Sequence, residues 1–254
     1  MSELRGHPAA AVLIVSPHLD DAALSCAALL EAPQSAHVLT VFGGAPAPAR
    51  VGWSERMTGF GDSDVTMRAR HEENSRAFAG SPHTIESLDL LDEDYLDGAR
   101  DDKDGRKLVG RLRRWSVEHA VGTVALPAGA GRRRGPLRTR LEWRIGARGG
   151  ALPHEDHLWV RDAALPAALA GASILLYEEL PYLWGGSAER AVHRVAKRAR
   201  ARVEEIVVAI DRTAKARRIA AYTSQLALLP IDERRLEDPV ALPPTERYWR
   251  LTRP

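Results

Sequence analysis

Short apolar, β-branched runs bounded by turn residues recur along the chain, at Ala11 to Val15, His37 to Phe42, Thr123 to Leu126, Ile174 to Tyr177 and Ile206 to Ile210. Each has the length and make-up of a buried strand. Between and after them lie longer stretches with apolar residues at helical spacing: Asp21 to Leu30, Val65 to Ala79, Lys107 to His119, Leu158 to Leu169, Ala188 to Arg202 and Thr213 to Leu228. The alternation predicts an α/β fold, a Rossmann-like and mainly parallel sheet with helices on both faces. Ligands of such sheets bind beyond the carboxyl ends of the strands, where strand-to-helix loops converge.

Two His/Asp clusters fall at such places. Ser16 to Asp21 reads S-P-H-L-D-D, a turn between the first strand and the first helix, and Pro153 to His157 reads P-H-E-D-H at the start of the helix carrying Trp159 and Val160. His18 and Asp21 are three residues apart across a tight turn and can converge on one metal ion, since a catalytic zinc takes three protein ligands and keeps a position for water. Asp20 between them is placed to take a proton from that water, although an Asp there reads equally well as a helix cap. His154 and His157, also three apart, project from neighbouring positions on one helical turn, so one can bind metal and the other face a substrate. Asp156 can hold an imidazole in one tautomer.

Composition bounds the rest. A chain of 254 residues, 44% hydrophobic, can bury a full core and shows no division, so residues 1–254 are expected to form one domain. Lys plus Arg number 36 against 34 for Asp plus Glu, a balance that gives no reason to expect a nucleic-acid partner. The positive charge is concentrated in an arginine-rich insertion at 132–153, which reads either as a solvated loop or as a basic flap favouring an anionic substrate. The single Cys26 excludes an internal disulfide and reads as a buried small residue. The apolar stretch near the N-terminus is about seven residues long, too short for a secretion signal or a membrane span, so a cytoplasmic protein without a membrane partner is expected.

At these motifs the chain resembles the PIG-L/LmbE-like family of zinc-dependent N-deacetylases, whose pattern is (A/S)-P-H-x-D-D followed far downstream by H-x-D-H. The resemblance continues through V-F-G-G-A-P at Val41 to Pro46, R-A-R-H-E-E-N at Arg68 to Asn74, L-D-L-L-D-E-D-Y at Leu88 to Tyr95, Y-E-E-L-P-Y at Tyr177 to Tyr182 and Y-T-S-Q at Tyr222 to Gln225. It implies that His18, Asp21 and His157 bind zinc, that Asp20 is the general base, that a protonated His154 steadies the oxyanion and that Asp156 orients a histidine. It also implies that Arg70 contacts substrate; Tyr182 and Trp184, just after the Y-E-E-L-P strand, are read as pocket-lining. Iron(II) suits the same two-His, one-Asp donor set.

The implied reaction is hydrolysis of an N-acetyl or other N-acyl group from an amino-sugar small molecule, such as an N-acetylglucosamine conjugate, in secondary metabolism. The rivals are an amidase for a non-sugar or thiol conjugate, a non-catalytic metal- or sugar-binding protein, and a nucleic-acid binder working through the arginine-rich insertion. The chain departs from the family twice: Ala22 stands where many members have Glu, and the arginine-rich segment separates the P-x-G-x-G turn at Pro127 to Gly131 from H-x-D-H.

Overall fold

Val12 and Ile14 face one side of strand β1 (Ala11–Ser16), Leu13 and Val15 the other, and all four are fully buried. A strand buried on both sides needs a helical layer on each. The computed structural model describes residues 11–32, 36–119, 121–129, 154–168, 172–182, 188–226, 228–229 and 234–252, and both layers are present among them. The arginine-rich insertion, with Trp143, and Trp184 lie outside the described residues.

The other strands are β2 (Ala36–Thr40), β3 (Thr84–Ser87), β4 (Val121–Pro127), β5 (Ser173–Tyr177), β6 (Arg202–Ala209) and β7 (Thr245–Thr252). They form one seven-stranded sheet in the order β3-β2-β1-β4-β5-β7-β6. The first five neighbours are parallel; β7 then runs antiparallel to β5, and β6 antiparallel to β7. The expectation of a Rossmann-like, mainly parallel sheet holds.

One face carries α1 (Asp21–Ser25), α2 (Ala27–Leu30) and the end of α4 (Ser63–Ala77), packed through Ala22, Cys26, Leu29 and Phe78. A short α3 (Trp53–Thr58) precedes α4. The opposite face carries α5 (Asp102–Glu118), α6 (Glu155–Ala168) and α7 (Glu189–Ala199) through Leu112, Trp115, Val160 and Val192. α8 (Arg212–Ile219) and α9 (Thr223–Leu226) follow β6. Among the described residues no helix is long and apolar enough to cross a membrane.

Two expected helices are interrupted. The run from Asp21 to Leu30 breaks at Cys26, whose φ of −130° and ψ of 31° leave the helical region, and the run from Thr213 to Leu228 divides into α8 and α9. β3 and β7 carry little apolar signal. β3 is a short edge strand, and β7 carries Arg247 and Arg250, whose partners are Glu205 and Glu204 on β6. Under the sheet, fully buried Lys215 of α8 pairs with Glu246 of β7 at 2.7 Å, and the Glu246 oxygens also accept from the N–H groups of Ala27 and Ala28 at the start of α2.

Candidate active site

The turn after β1 is tied by its own side chains. Ser16 Oγ donates to the carbonyl of His18 at 2.6 Å and accepts from Ala22 N at 3.0 Å, while Asp21 Oδ2 accepts from His18 N at 2.7 Å. Asp20 stands at the cap position of α1 but makes no capping hydrogen bond. The capping reading of Asp20 is thereby removed, and its buried carboxylate is left for other work.

The motifs that extend along the chain brace this turn. Tyr222 OH donates to Asn74 Oδ1 at 2.8 Å and lies 3.2 Å from the carbonyl of Leu19, and Glu73 accepts from Thr223 Oγ1, Ser224 N and Ser224 Oγ. His71 Nε2 hydrogen-bonds the carbonyl of Gly43 at 2.8 Å. At Gly44 a Cβ would stand 2.3 Å from the carbonyl oxygen of Asp89, so only glycine lets the loop after β2 press against the segment that brings in Asp92.

His154 lies immediately before α6, one position earlier than a place within its first turn, while Asp156 and His157 are in that turn. His157 Nε2 is 3.3 Å from Asp21 Oδ2, and the same oxygen is 3.2 Å from His18 Nδ1. Ligand atoms held tetrahedrally at about 2.0–2.1 Å from a divalent ion sit about 3.3 Å apart. Neither ring nitrogen of fully buried His157 has a well-formed hydrogen bond, although Nδ1 faces Glu179 Oε1 at 3.5 Å. A buried imidazole whose nitrogens make only long contacts is costly unless something else engages it. His18, Asp21 and His157 therefore fit a divalent metal.

Ring nitrogens of His18, His154 and His157 also lie within 4.8 Å of one another, as do donor atoms of His18, Asp92 and Asp156. In that second group the carboxylates face the other nitrogen of His18: Nε2 is 3.2 Å from Asp156 Oδ2 and 3.3 Å from Asp92 Oδ2. Both carboxylates are already attended by arginines, Arg100 at 2.5 Å from Asp156 and Arg70 at 3.9 Å from Asp92. They stand as acceptors behind the His18 ring, the arrangement that suits an imidazole presenting its other nitrogen to a metal.

The two adjacent aspartates are pushed apart electrostatically. Burial alone would raise Asp21, but the facing His157 and His18 hold its carboxyl well below the ordinary range. Asp20 goes the other way, raised by burial and by the negative Asp21 despite Arg70 and His18. Such a divergence separates a charge-bearing ligand from a proton acceptor. Burial, then the positive His18 and His157, press His154 down to about 3.

Arg70 is buried close to Asp20 and Asp92 with its Nε unpartnered. Tyr182 stacks edge-on against His154 and His157, with centroids 5.4 and 5.0 Å away. Sequence reasoning assigned nothing to Asp92, Glu179 or Arg100. The first two lie inside quoted motifs, so a signal existed for them; Arg100 had none.

No family model matches the chain. Over 180 residues it is 33% identical to the 2'-N-acetylparomamine deacetylase of Streptomyces fradiae, a match covering 67% of this chain, and it spans only 57% of the length of that relative. In fold it is similar to the zinc-inhibited form of teicoplanin deacetylase Orf2, with a TM-score of 0.67 and 23% identity over 96% of this chain and 98% of that one. The N,N'-diacetylchitobiose deacetylase of Pyrococcus horikoshii follows at a TM-score of 0.51 and 14% identity, covering 86% of this chain and 71% of that one. The chain belongs to the PIG-L/LmbE-like family.

Proposed function

We propose that this protein is a zinc-dependent N-deacetylase acting on an N-acetylated amino-sugar compound of secondary metabolism. One observation carries the reading: a buried carboxylate not used for capping, Asp20, stands beside a His–Asp–His donor set whose members converge at 3.2–3.3 Å. A binding protein has no need of that carboxylate. The relative that deacetylates 2'-N-acetylparomamine supports an amino-sugar substrate.

His18, Asp21 and His157 would hold the zinc, which when bound polarises an amide carbonyl and acidifies water. Asp20, raised and buried next to Asp21 and His18, takes the proton of the attacking water and passes it to the departing amine. His154, neutral and with a buried unpartnered Nδ1, offers a hydrogen bond to the carbonyl oxygen as negative charge grows there. Arg70 and Tyr182 border the substrate. Trp184 is kept as a pocket residue on its position two residues after Tyr182.

The test is to supply zinc-loaded protein with N-acetylglucosamine conjugates and 2'-N-acetylparomamine and to follow released acetate and free amine together. Equal release of both supports the proposal. Release from a thiol or non-sugar amide alone would move the protein to the amidase reading, and no release from any N-acyl compound would leave a metal- or sugar-binding protein.

A further inference from the structure

Arg100 has no part in the scheme above, yet it is among the most constrained side chains near the site. Its side chain is 7% exposed and its guanidinium sits over two adjoining rings, with Cζ 4.2 Å from the Phe42 centroid and 4.9 Å from that of Trp159. Nη1 donates to the carbonyl of Leu91 at 2.7 Å and lies 3.7 Å from Asp104 Oδ2, and Nη2 donates to Asp156 Oδ1 at 2.5 Å. The other oxygen of Asp156 accepts from Glu93 N at 3.0 Å and faces His18 Nε2 at 3.2 Å.

Asp156 is thus gripped at both oxygens. A carboxylate that sets the tautomer of a metal-binding imidazole works only if it cannot swing away, because metal affinity depends on the ring presenting an unprotonated nitrogen along a fixed direction. Asp92, the second acceptor for His18 Nε2, accepts from Asp94 N at 3.1 Å through its other oxygen, and its arginine, Arg70, stands farther off at 3.9 Å. A planar fork stacked on aromatic faces suits the task on Asp156, since it can bond the carboxylate and the Leu91 carbonyl at once; a lysine offers a single point charge.

We propose that Arg100 is a positioning residue for the metal site: by clamping Asp156 it fixes the orientation and tautomer of His18, and so sets how tightly the site binds its ion. The proposal rests on the reading of His18, Asp21 and His157 as ligands. It concerns affinity, not turnover.

The test compares full-length wild type, R100M, R100K, D156N and the R100M/D156N double variant. Circular dichroism reports folding, competition with a chromophoric chelator gives the zinc dissociation constant, and visible absorption of the cobalt(II)-loaded protein reports ligand geometry. R100M is expected to lose about tenfold to a hundredfold in zinc affinity and to shift the cobalt(II) bands. R100K should lose at least about threefold, and D156N about as much as R100M. In the D156N background, R100M should cost no more than about a further threefold, because the residue it acts through is already altered.

Zinc affinity of R100M within about threefold of wild type would overturn the proposal, as would a double variant whose loss equals the product of the two single losses. If R100M does not fold, R100K decides: an unchanged dissociation constant and spectrum sink the idea. Wild type that binds no metal removes the ligand assignment and this proposal with it. Metal binding that depends on Arg100, without release of acetate, leaves the proposal standing and removes only the proposed deacetylation.

Discussion

His157 Nε2 and Asp21 Oδ2 lie 3.3 Å apart, although one belongs to the first turn of α6 and the other to the first turn of α1. The same carboxylate oxygen faces His18 Nδ1 at 3.2 Å, so Asp21 links the two clusters. Asp21→Ala and His157→Ala should therefore lower zinc affinity by tenfold or more. Equilibrium dialysis with metal analysis measures this, and unchanged zinc content in both variants would remove them from the ligand set.

Asp20 has the opposite expectation. Its carboxyl is raised by burial and by Asp21 and is not used in capping, so Asp20→Asn should keep zinc at wild-type stoichiometry while deacetylation falls by about a hundredfold to ten-thousandfold. Loss of zinc in Asp20→Asn, with retention in Asp21→Ala, would reverse the two assignments.

His154→Ala should reduce kcat by about a hundredfold to a thousandfold with metal content unchanged, the effect of losing one oxyanion donor. Because burial and the adjacent histidines press His154 down to about 3, it stays neutral between pH 5 and 8. The shape of the pH–rate profile should then be the same in wild type and variant over that range. A limb near pH 6 that vanishes with His154 would contradict the neutral assignment.

Glu93 should make stability fall as pH rises. Burial and the negative Asp156, Glu155, Asp92 and Asp94 raise its carboxyl to about 7 in the folded state, against about 4.3 in an unfolded chain. Between those values the native state binds the extra proton, so stability is lost as pH climbs through the window. The side chain is more than a third exposed and screening limits the effect to about 1 kcal/mol or less. Melting temperatures at pH 5 and pH 8 should differ less in Glu93→Gln than in wild type; parallel curves would refute the assignment.

Lys215→Met should strip Glu246 of its cation in a site where both are buried, costing about 3–5 kcal/mol. Adding Glu246→Gln should recover part of the loss by removing the stranded charge. Urea unfolding of the single and double variants measures both; a loss below 1 kcal/mol in the single variant would show that the pair is not needed.

Much of the architecture was legible from residues near one another in the chain. Apolar runs of strand length, helical spacing between them and polar turns at strand ends specify β1, β2, β4 and β5 and put both His/Asp motifs at one end of the sheet. The donor types and the spare Asp20 could be named because a tight turn brings neighbours together without help from the rest of the chain. Gly44, Glu73 and Tyr222 stood out only as parts of motifs, and their roles as braces needed the packed structure.

Tertiary structure alone decided the rest. That Asp156 serves His18 rather than its neighbours His154 or His157, that Arg100 holds Asp156, and that Lys215 finds Glu246 are contacts between distant segments. No periodicity or local spacing encodes them. A charged residue in a sequence looks the same whether solvent or an opposite charge awaits it, and its partner is set only when sheet and helices close over the site and remove the water.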